Sequence, residues 1–335
     1  MAARAEIRSK TNGRSEYQLT WIALAVGAAC ALGVLHATEM SVGMVSALPY
    51  VALLSFLFLG HYVYARRRPD ERISLVTGSV GMMIAAALFA GITANAGLRL
   101  RYPLIDDVLA RADIMLGVAT PALVLAVAER PWLGDLLGIA YVSIFPLSFA
   151  TVIWLGIRRQ SALLWQFTLA FSAGIVGAAV ISVFVPALGN IVHAGLDPLA
   201  GSRLPAGAGV YHLQAVHEYR DGTDVLLELR KLEGVVTFPS FHMIMAVAVG
   251  YAFRTTRWAV WPIGLWCALV AISTVPIGGH YVIDLLGGVA LWLVCLALPR
   301  YVRMKNTVLS LAVMPSGMPE QISGGSGGLP MRGRT

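Results

Sequence analysis

Apolar residues in this chain fall in long runs rather than in strict alternation. Eight of the runs extend for about 18 residues or more, enough for a helix to cross a hydrocarbon core. They begin near Trp21, Val42, Leu75, Trp132, Trp165, Phe238, Val260 and Tyr281. Weak alternation appears only through Val225 to Leu229. The pattern predicts an all-α fold, a polytopic membrane helical bundle of about eight transmembrane helices.

Two intervals are too long to be turns between spans. From about Gly97 to Pro131, Leu104, Val108, Leu109, Ala112, Leu116 and Val118 are interleaved with Asp106, Asp107, Arg111 and Asp113. That spacing predicts an interfacial amphipathic helix with Asp106 and Asp107 on its solvated face. The second interval, about Gly189 to Thr237, is rich in Gly and Pro and then polar. It predicts a cap loop over one end of the bundle, with a short hairpin at Asp221-Gly222. The chain thus divides into an N-terminal segment (1–18), N-terminal transmembrane helices (19–99), a second membrane domain (100–299) and a tail (300–335) whose Ser, Gly, Pro and Arg content predicts disorder. The first apolar run follows Arg4, Arg8, Lys10 and Arg14, but it is long for a signal peptide and reads as a retained span.

Composition agrees with lipid as the solvent. The 335 residues are 57% hydrophobic and 13% charged, with a mean hydropathy of +0.72; soluble domains are about 45–50% apolar. Cys30, Cys267 and Cys295 lie inside apolar runs and suit packing rather than disulfides or zinc. The net charge of +7 is unevenly spread. With an even number of spans, Arg66, Arg67, Arg68, Arg72, Arg158, Arg159, Arg254, Arg257, Arg300, Arg303 and Lys305 share one side with both termini, and the positive-inside rule makes that side cytoplasmic. The opposite side is acidic in balance. Because the basic residues sit at span ends, the pI near 9.5 does not indicate a nucleic-acid partner.

Two clusters carry candidate chemistry. Thr237-Phe238-Pro239-Ser240-Phe241-His242 opens the sixth run, and Gly278-Gly279-His280-Tyr281-Val282-Ile283-Asp284 opens the eighth. Both runs start from the acidic side, so two helix N-termini, each suited to phosphate, are expected to share one phosphate. His280 and Asp284, four residues apart, meet on one helix face, where the carboxylate can fix the imidazole tautomer and free the other nitrogen as a nucleophile. His242 is left to act as general acid. Ser240, Gly278 and Gly279 are candidate phosphate donors. Either histidine alone reads as a polar anchor at an interface; the conjunction with an intramembrane Asp points to chemistry. His36 and His61, at span ends, and His193, His212 and His217, in the cap, read as structural or solvated.

These clusters resemble the second and third motifs of the phosphatidic acid phosphatase type 2 superfamily, which usually read Pro-Ser-Gly-His and Ser-Arg, five residues, His, three residues, Asp. Pro239, Ser240 and His242 match the former, and Ser273, His280 and Asp284 the latter. The His-Tyr-x-x-Asp spelling, with Pro103-Leu104-Ile105-Asp106-Asp107, Ala112-Asp113 and Leu116-Gly117, is most similar to the branch of inositol phosphorylceramide synthase and its bacterial relatives. The resemblance covers about residues 100–299 and implies a helical bundle in the inner (plasma) membrane with its site facing the periplasm or exterior. It also implies a lipid phosphate or phospholipid substrate, attack on phosphorus by His280, protonation of the departing oxygen by His242, orientation of His280 by Asp284, and no metal or other cofactor. Thr274 replaces the usual Arg, Phe241 the usual Gly, and the first motif has no clear equivalent. Phosphate charge still calls for cations, and the candidates are Arg99, Arg101, Arg203, Arg220, Arg230 and Lys231. Two other classes fit less of the pattern: a two-His-one-carboxylate metal enzyme, and a non-catalytic scaffold or transporter.

Overall fold

The structure, a computed structural model, describes residues 2–312, with side chains from Gly13 to Lys305. It is a helical bundle. Among the described residues, six helices are long and apolar enough to cross a membrane: α1 (Ala2–Thr38), α2 (Met44–Tyr62), α3 (Glu71–Gly97), α6 (Pro131–Ile157), α7 (Ser161–Phe184) and α12 (Val282–Ala312). Between α3 and α6, the expected interfacial helix is two helices, α4 (Asp106–Met115) and α5 (Thr120–Ala128), bent by 89°. The cap contains short helical turns, α8 (Asn190–His193) and α9 (Leu213–Ala215) among them, and one two-residue strand. The sixth and seventh expected spans are α10 (Phe241–Phe253) and α11 (Val260–Ser273).

Local chemistry sets the helix limits. Asp70 caps α3 by accepting from Arg72 N, and Ser240 caps α10 by accepting from Met243 N. Proline opens α6 at its first position, where a missing N–H costs nothing. At the arginine-rich end, Arg303 Nη1 donates to the buried Glu16 Oε1 at 2.7 Å and ties α12 to α1. His61, expected to lack a partner, lies within 2.8 Å of Ser74 O and 3.4 Å of Tyr17 Oη.

Helices α10 and α11 are the main departure from eight full spans. At 13 and 14 residues, each covers about 20 Å, against about 30 Å of hydrocarbon. The connection between them nonetheless lies level with the end of α6. Trp154 packs on Phe253 and on the edge of Trp258, at centroid distances of 6.3 and 5.7 Å, and Arg158 lies over the Trp154 ring. The hairpin is therefore short at its other end, which starts inside the bundle. His242 stacks on Tyr141, ten residues into α6, or about 15 Å along that helix.

The cap descends into this recess. No hairpin forms at Asp221-Gly222; a helical turn spans Val216–Asp221, and Leu226–Leu227 (β2) pairs in parallel with Ser41–Val42 (β1). Helix α12 continues to Ala312, well past the expected start of the tail at 300, and residues 313–335 of that tail lie outside the described residues.

Candidate active site

The segment Gly278-Gly279-His280-Tyr281 joins α11 to α12 and is held by its backbone. Ile277 N donates to Ser273 O at 3.0 Å and His280 N to Thr274 O at 3.1 Å. Gly279 adopts φ 72, and a Cβ there would lie 3.0 Å from Gly209 Cα, so the position needs glycine for both conformation and approach. From the cap, Asn190 N donates to Gly279 O at 2.7 Å, and Asn190 Nδ2 donates to His280 O and to Val275 O. Gly209 N donates to Ile277 O at 2.7 Å. His280 is thereby buried, 2% exposed, with Nδ1 3.2 Å from Asp284 Oδ2. The same carboxylate oxygen accepts from Tyr281 N at 2.8 Å. With Nδ1–H donated to Asp284, Nε2 is the nitrogen with a free lone pair.

The second motif meets the third through backbone. Ser240 N donates to Asp284 O at 3.0 Å, and a Cβ on Gly288 of α12 would fall 2.5 Å from Ser240 O. This approach sets His242, on the first turn of α10, 6.3 Å from His280 between ring centroids. Tyr141 lies flat against the His242 ring at 4.0 Å, and Phe145 meets its edge at 5.3 Å. Among the described residues, the buried His242 Nε2 and Asp284 Oδ1 have no hydrogen-bond partner.

The two helix N-termini do not share a ligand-ready face. Asp113 of α4 accepts from Val282 N and Ile283 N, both at 2.9 Å, and from the Thr120 hydroxyl, so the start of α12 is already occupied by a carboxylate. Asp106 accepts from Leu188 N, Gly189 N and the Tyr281 hydroxyl at 2.9–3.0 Å. It is 5% exposed. This corrects the solvated-face reading of Asp106; Asp107 is exposed as expected and lies 3.6 Å from His193. Asp106, Leu109 and Asp113 are all buried, and their spacing of three and four residues was the signal that they share an inward face. Asn190, Tyr141 and Tyr211 were also missed, and nothing local marks them.

A cavity of about 740 Å³ reaches His242 between α6 and residues 205–211, lined by Ile139, Val142 and Phe145 on the helix side. A smaller one, about 260 Å³, meets it at His242, Phe145, Tyr211 and Gly234 and runs between the Ala and Gly residues of α3 and α7. His280 lines neither; it stands one ring behind His242. The polar groups at the junction include the hydroxyls of Tyr141 and Tyr211, 3.1 Å apart, and the Glu233 side chain. Burial raises the Tyr211 and Glu233 pKa values, the latter assisted by Glu218. Burial lowers that of His212, a nearly enclosed cap residue whose Nε2 donates to Leu188 O at 2.9 Å.

None of the six candidate cations lines either cavity. Arg99 Nη1 donates to Asp224 O and Arg101 Nε to Arg220 O, both in the cap, and Arg220 Nη2 donates from the cap to Tyr102 O, so these three tie the cap to the segment after α3 through backbone carbonyls. Arg230 pairs with Glu228 at 3.5 Å, while Arg203 and Lys231 are exposed. The ligand set of the metal-enzyme alternative is not convergent. Asp284 is directed to the His280 ring itself, and no group of three or more His, Cys, Asp or Glu suited to a metal occurs among the described residues.

Neither a curated protein nor a solved structure matches the chain. A family model described as the PAP2 superfamily matches residues 107–298, more than half of the sequence and including Asp113, His242, His280 and Asp284. On that extent of match the chain belongs to the PAP2 superfamily.

Proposed function

We propose that the protein is a membrane-embedded enzyme that hydrolyses lipid phosphates or transfers their phosphate-bearing head groups through a phosphohistidine on His280. Membership of the superfamily supports phosphoric-ester chemistry on lipid phosphate in general. The spelling of the two motifs supports the finer resemblance to the inositol phosphorylceramide synthase branch. The observation that carries the mechanism is the buried pair of His280 Nδ1 and Asp284 Oδ2, 3.2 Å apart, set beside a second imidazole whose buried Nε2 has no partner.

The steps follow from those positions. Asp284 holds the His280 ring with Nε2 outward and stabilises the cation that forms as Nε2 bonds to phosphorus. The bond from phosphorus to the leaving oxygen breaks, and His242 transfers a proton to that oxygen. Water or a lipid alcohol then attacks phosphorus, His242 takes its proton, and the N–P bond breaks to restore His280. Because Asp113 occupies the start of α12 and the Gly278 amide already donates to Ser273 O at 3.4 Å, the phosphate donors are the first amides of α10, the Ser240 hydroxyl and the Gly279 amide. The apolar wall of Ile139, Val142 and Phe145, all exposed on α6, suits a hydrocarbon chain entering from lipid. The site lies at the end of the bundle opposite the arginines, which by the positive-inside rule is the extracytoplasmic side of the plasma membrane.

Radiolabelled lipid phosphates, quenched without acid, test the reading. The wild-type chain should form an acid-labile, base-stable protein adduct, and His280→Ala should form none. His242→Ala should slow adduct formation about 10²–10⁴-fold with an alkoxide leaving group and far less with an activated phenolate. Mass spectrometry of the products, with and without a lipid alcohol, separates free phosphate from a new phospholipid. Equal labelling of His280→Ala and the wild type would overturn the nucleophile assignment, and a chain that never labels or turns over is the non-catalytic scaffold.

A further inference from the structure

The strongest unabsorbed feature lies on α4. Asp106 and Asp113 are seven residues apart, two helical turns, and so project from the same side of the helix. Both are carboxylates in a nearly closed environment, 5% and 1% exposed, and each accepts from three donors. Charge-assisted bonds of this kind, with the positive end of α12, offset the cost of burying the charge.

The donors are not scattered. Three consecutive residues after His280 are each fixed to α4: Tyr281 through its hydroxyl to Asp106, Val282 and Ile283 through their amides to Asp113. The next residue is Asp284, which turns back to bond His280 Nδ1 and Tyr281 N. Asp106 also accepts from Leu188 N and Gly189 N, immediately before Asn190, whose own amide and side chain hold Gly279 O and His280 O. Both grips on His280, from α12 and from the cap, therefore end on one helix. Capping alone would need one acceptor for the α12 amides. The second carboxylate, with the Tyr281 phenol, blocks rotation of the first turn of α12, the motion that would carry Asp284 away from His280.

We propose that Asp106 and Asp113 are positioning residues that clamp the start of α12 through Tyr281, Val282 and Ile283, holding His280 and Asp284 in their reactive relation. The inference rests on the phosphohistidine reading above. In the test, the full-length chain in mixed micelles is given phosphatidic acid, phosphatidylinositol and a prenyl diphosphate, and the lipid that the wild type turns over fastest is used throughout. Tyr281→Phe removes one hydroxyl and keeps the packing, and Asp106→Asn and Asp113→Asn keep the side-chain shape. Each should lower kcat, about ten-fold or more, and reduce the rate of adduct formation, with KM within about two-fold, because a positioning error of this kind acts on the chemical step. Tyr281→Phe and Asp106→Asn share one bond, and Asp106 also holds Leu188 N and Gly189 N, so Asp106→Asn should be the slower single variant and the double variant no slower than it. Asp107→Asn, on the exposed side, should match the wild type.

Variants that lose only thermal stability or yield, with kcat per folded molecule unchanged, would show a purely structural cap and overturn the clamp. So would singles at Tyr281 and Asp106 whose effects multiply. If His280→Ala keeps turnover, the phosphohistidine reading fails and takes the clamp with it. If His280→Ala is inactive and the clamp variants are not, only the clamp fails.

Discussion

Tyr141 lies flat against His242, the two rings 4.0 Å apart at their centroids and inclined by 13°. The contact fixes one face of the imidazole, whose centroid lies 6.3 Å from that of His280. Tyr141 also bonds the Tyr211 hydroxyl at 3.1 Å, which couples α6 to the cap. These roles separate on mutation. Tyr141→Phe should keep the stack and leave kcat within about five-fold, the loss of one neutral hydrogen bond being worth about 1 kcal/mol. Tyr141→Ala should lower kcat at least ten-fold and destabilise the protein by about 3–5 kcal/mol, as expected when a buried aromatic ring is removed. Steady-state kinetics and denaturation in detergent check both. Equal kinetics for the two variants would remove the stack from the mechanism.

Glycine at 279 is required by two separate constraints, its φ of 72 and the 3.0 Å that a Cβ would leave to Gly209 Cα. A left-handed residue with a side chain costs about 1–2 kcal/mol before any clash. Gly279→Ala should therefore displace the cap from the His280 loop and lower turnover by at least ten-fold. Gly250→Ala is the comparison, since a Cβ there meets nothing within 4 Å and the residue sits inside α10. That change should leave activity intact and raise stability by about 0.5–1 kcal/mol, the usual gain in a helix interior. Melting curves and turnover of the two variants side by side give the answer.

Which features were legible in the sequence follows from their range. Long helices announce themselves by hydrophobic length, so α1, α2, α3, α6, α7 and α12 begin within a few residues of the expected positions apart from α1, whose helix extends back through the polar segment before Trp21. The motif residues Ser240, His242, His280 and Asp284 were singled out by type and spacing, and the fold brings them together. What failed was what depends on distant backbone. Asp106 and Asp113 are satisfied by amides at Leu188, Gly189, Val282 and Ile283, and no local pattern says that a carboxylate on a helix will meet them. The shortness of α10 and α11 was hidden because the apolar runs continue through the recessed loops at their inner ends, through Val235, Val236, Phe238 and Pro239 before α10 and Val275, Pro276 and Ile277 after α11. The placement of the candidate cations was equally illegible: Arg99, Arg101 and Arg220 meet backbone carbonyls more than a hundred residues away.

That placement predicts the outcome of neutralising them. Arg99→Gln, Arg101→Gln and Arg220→Gln each remove a bond to a backbone carbonyl, not a contact with the cavity at His242. Each should leave kcat within about ten-fold, less than the 10²–10³ that loss of a transition-state donor costs. Arg203→Gln and Lys231→Gln, at exposed sites, should have smaller effects still. Arg230→Gln breaks a surface pair with Glu228, worth about 0–1 kcal/mol. Assays of all six with one lipid phosphate decide the matter. A loss of 10² or more at any one would identify a cation that moves onto the substrate when it binds.

The short hairpin makes the membrane topology testable at a third point. Its connection sits beside Trp154 and Arg158 through the contacts of Phe253 and Trp258, so Thr256 and Arg158 should report the same side even though α10 and α11 are each only about 20 Å long. Asp221, in the cap, should report the other. Single cysteines at the three positions, treated with an impermeant maleimide on intact cells, should label at Asp221 alone; Thr256 and Arg158 should label only after permeabilisation. Cys267 and Cys295 are buried, and the half-buried Cys30 is replaced by Ala in the parent to remove native background. Labelling of Thr256 together with Asp221 would make α10 and α11 a re-entrant hairpin. Labelling of Arg158 from outside would invert the bundle and put His242 and His280 on the cytoplasmic side, against the expectation of the positive-inside rule.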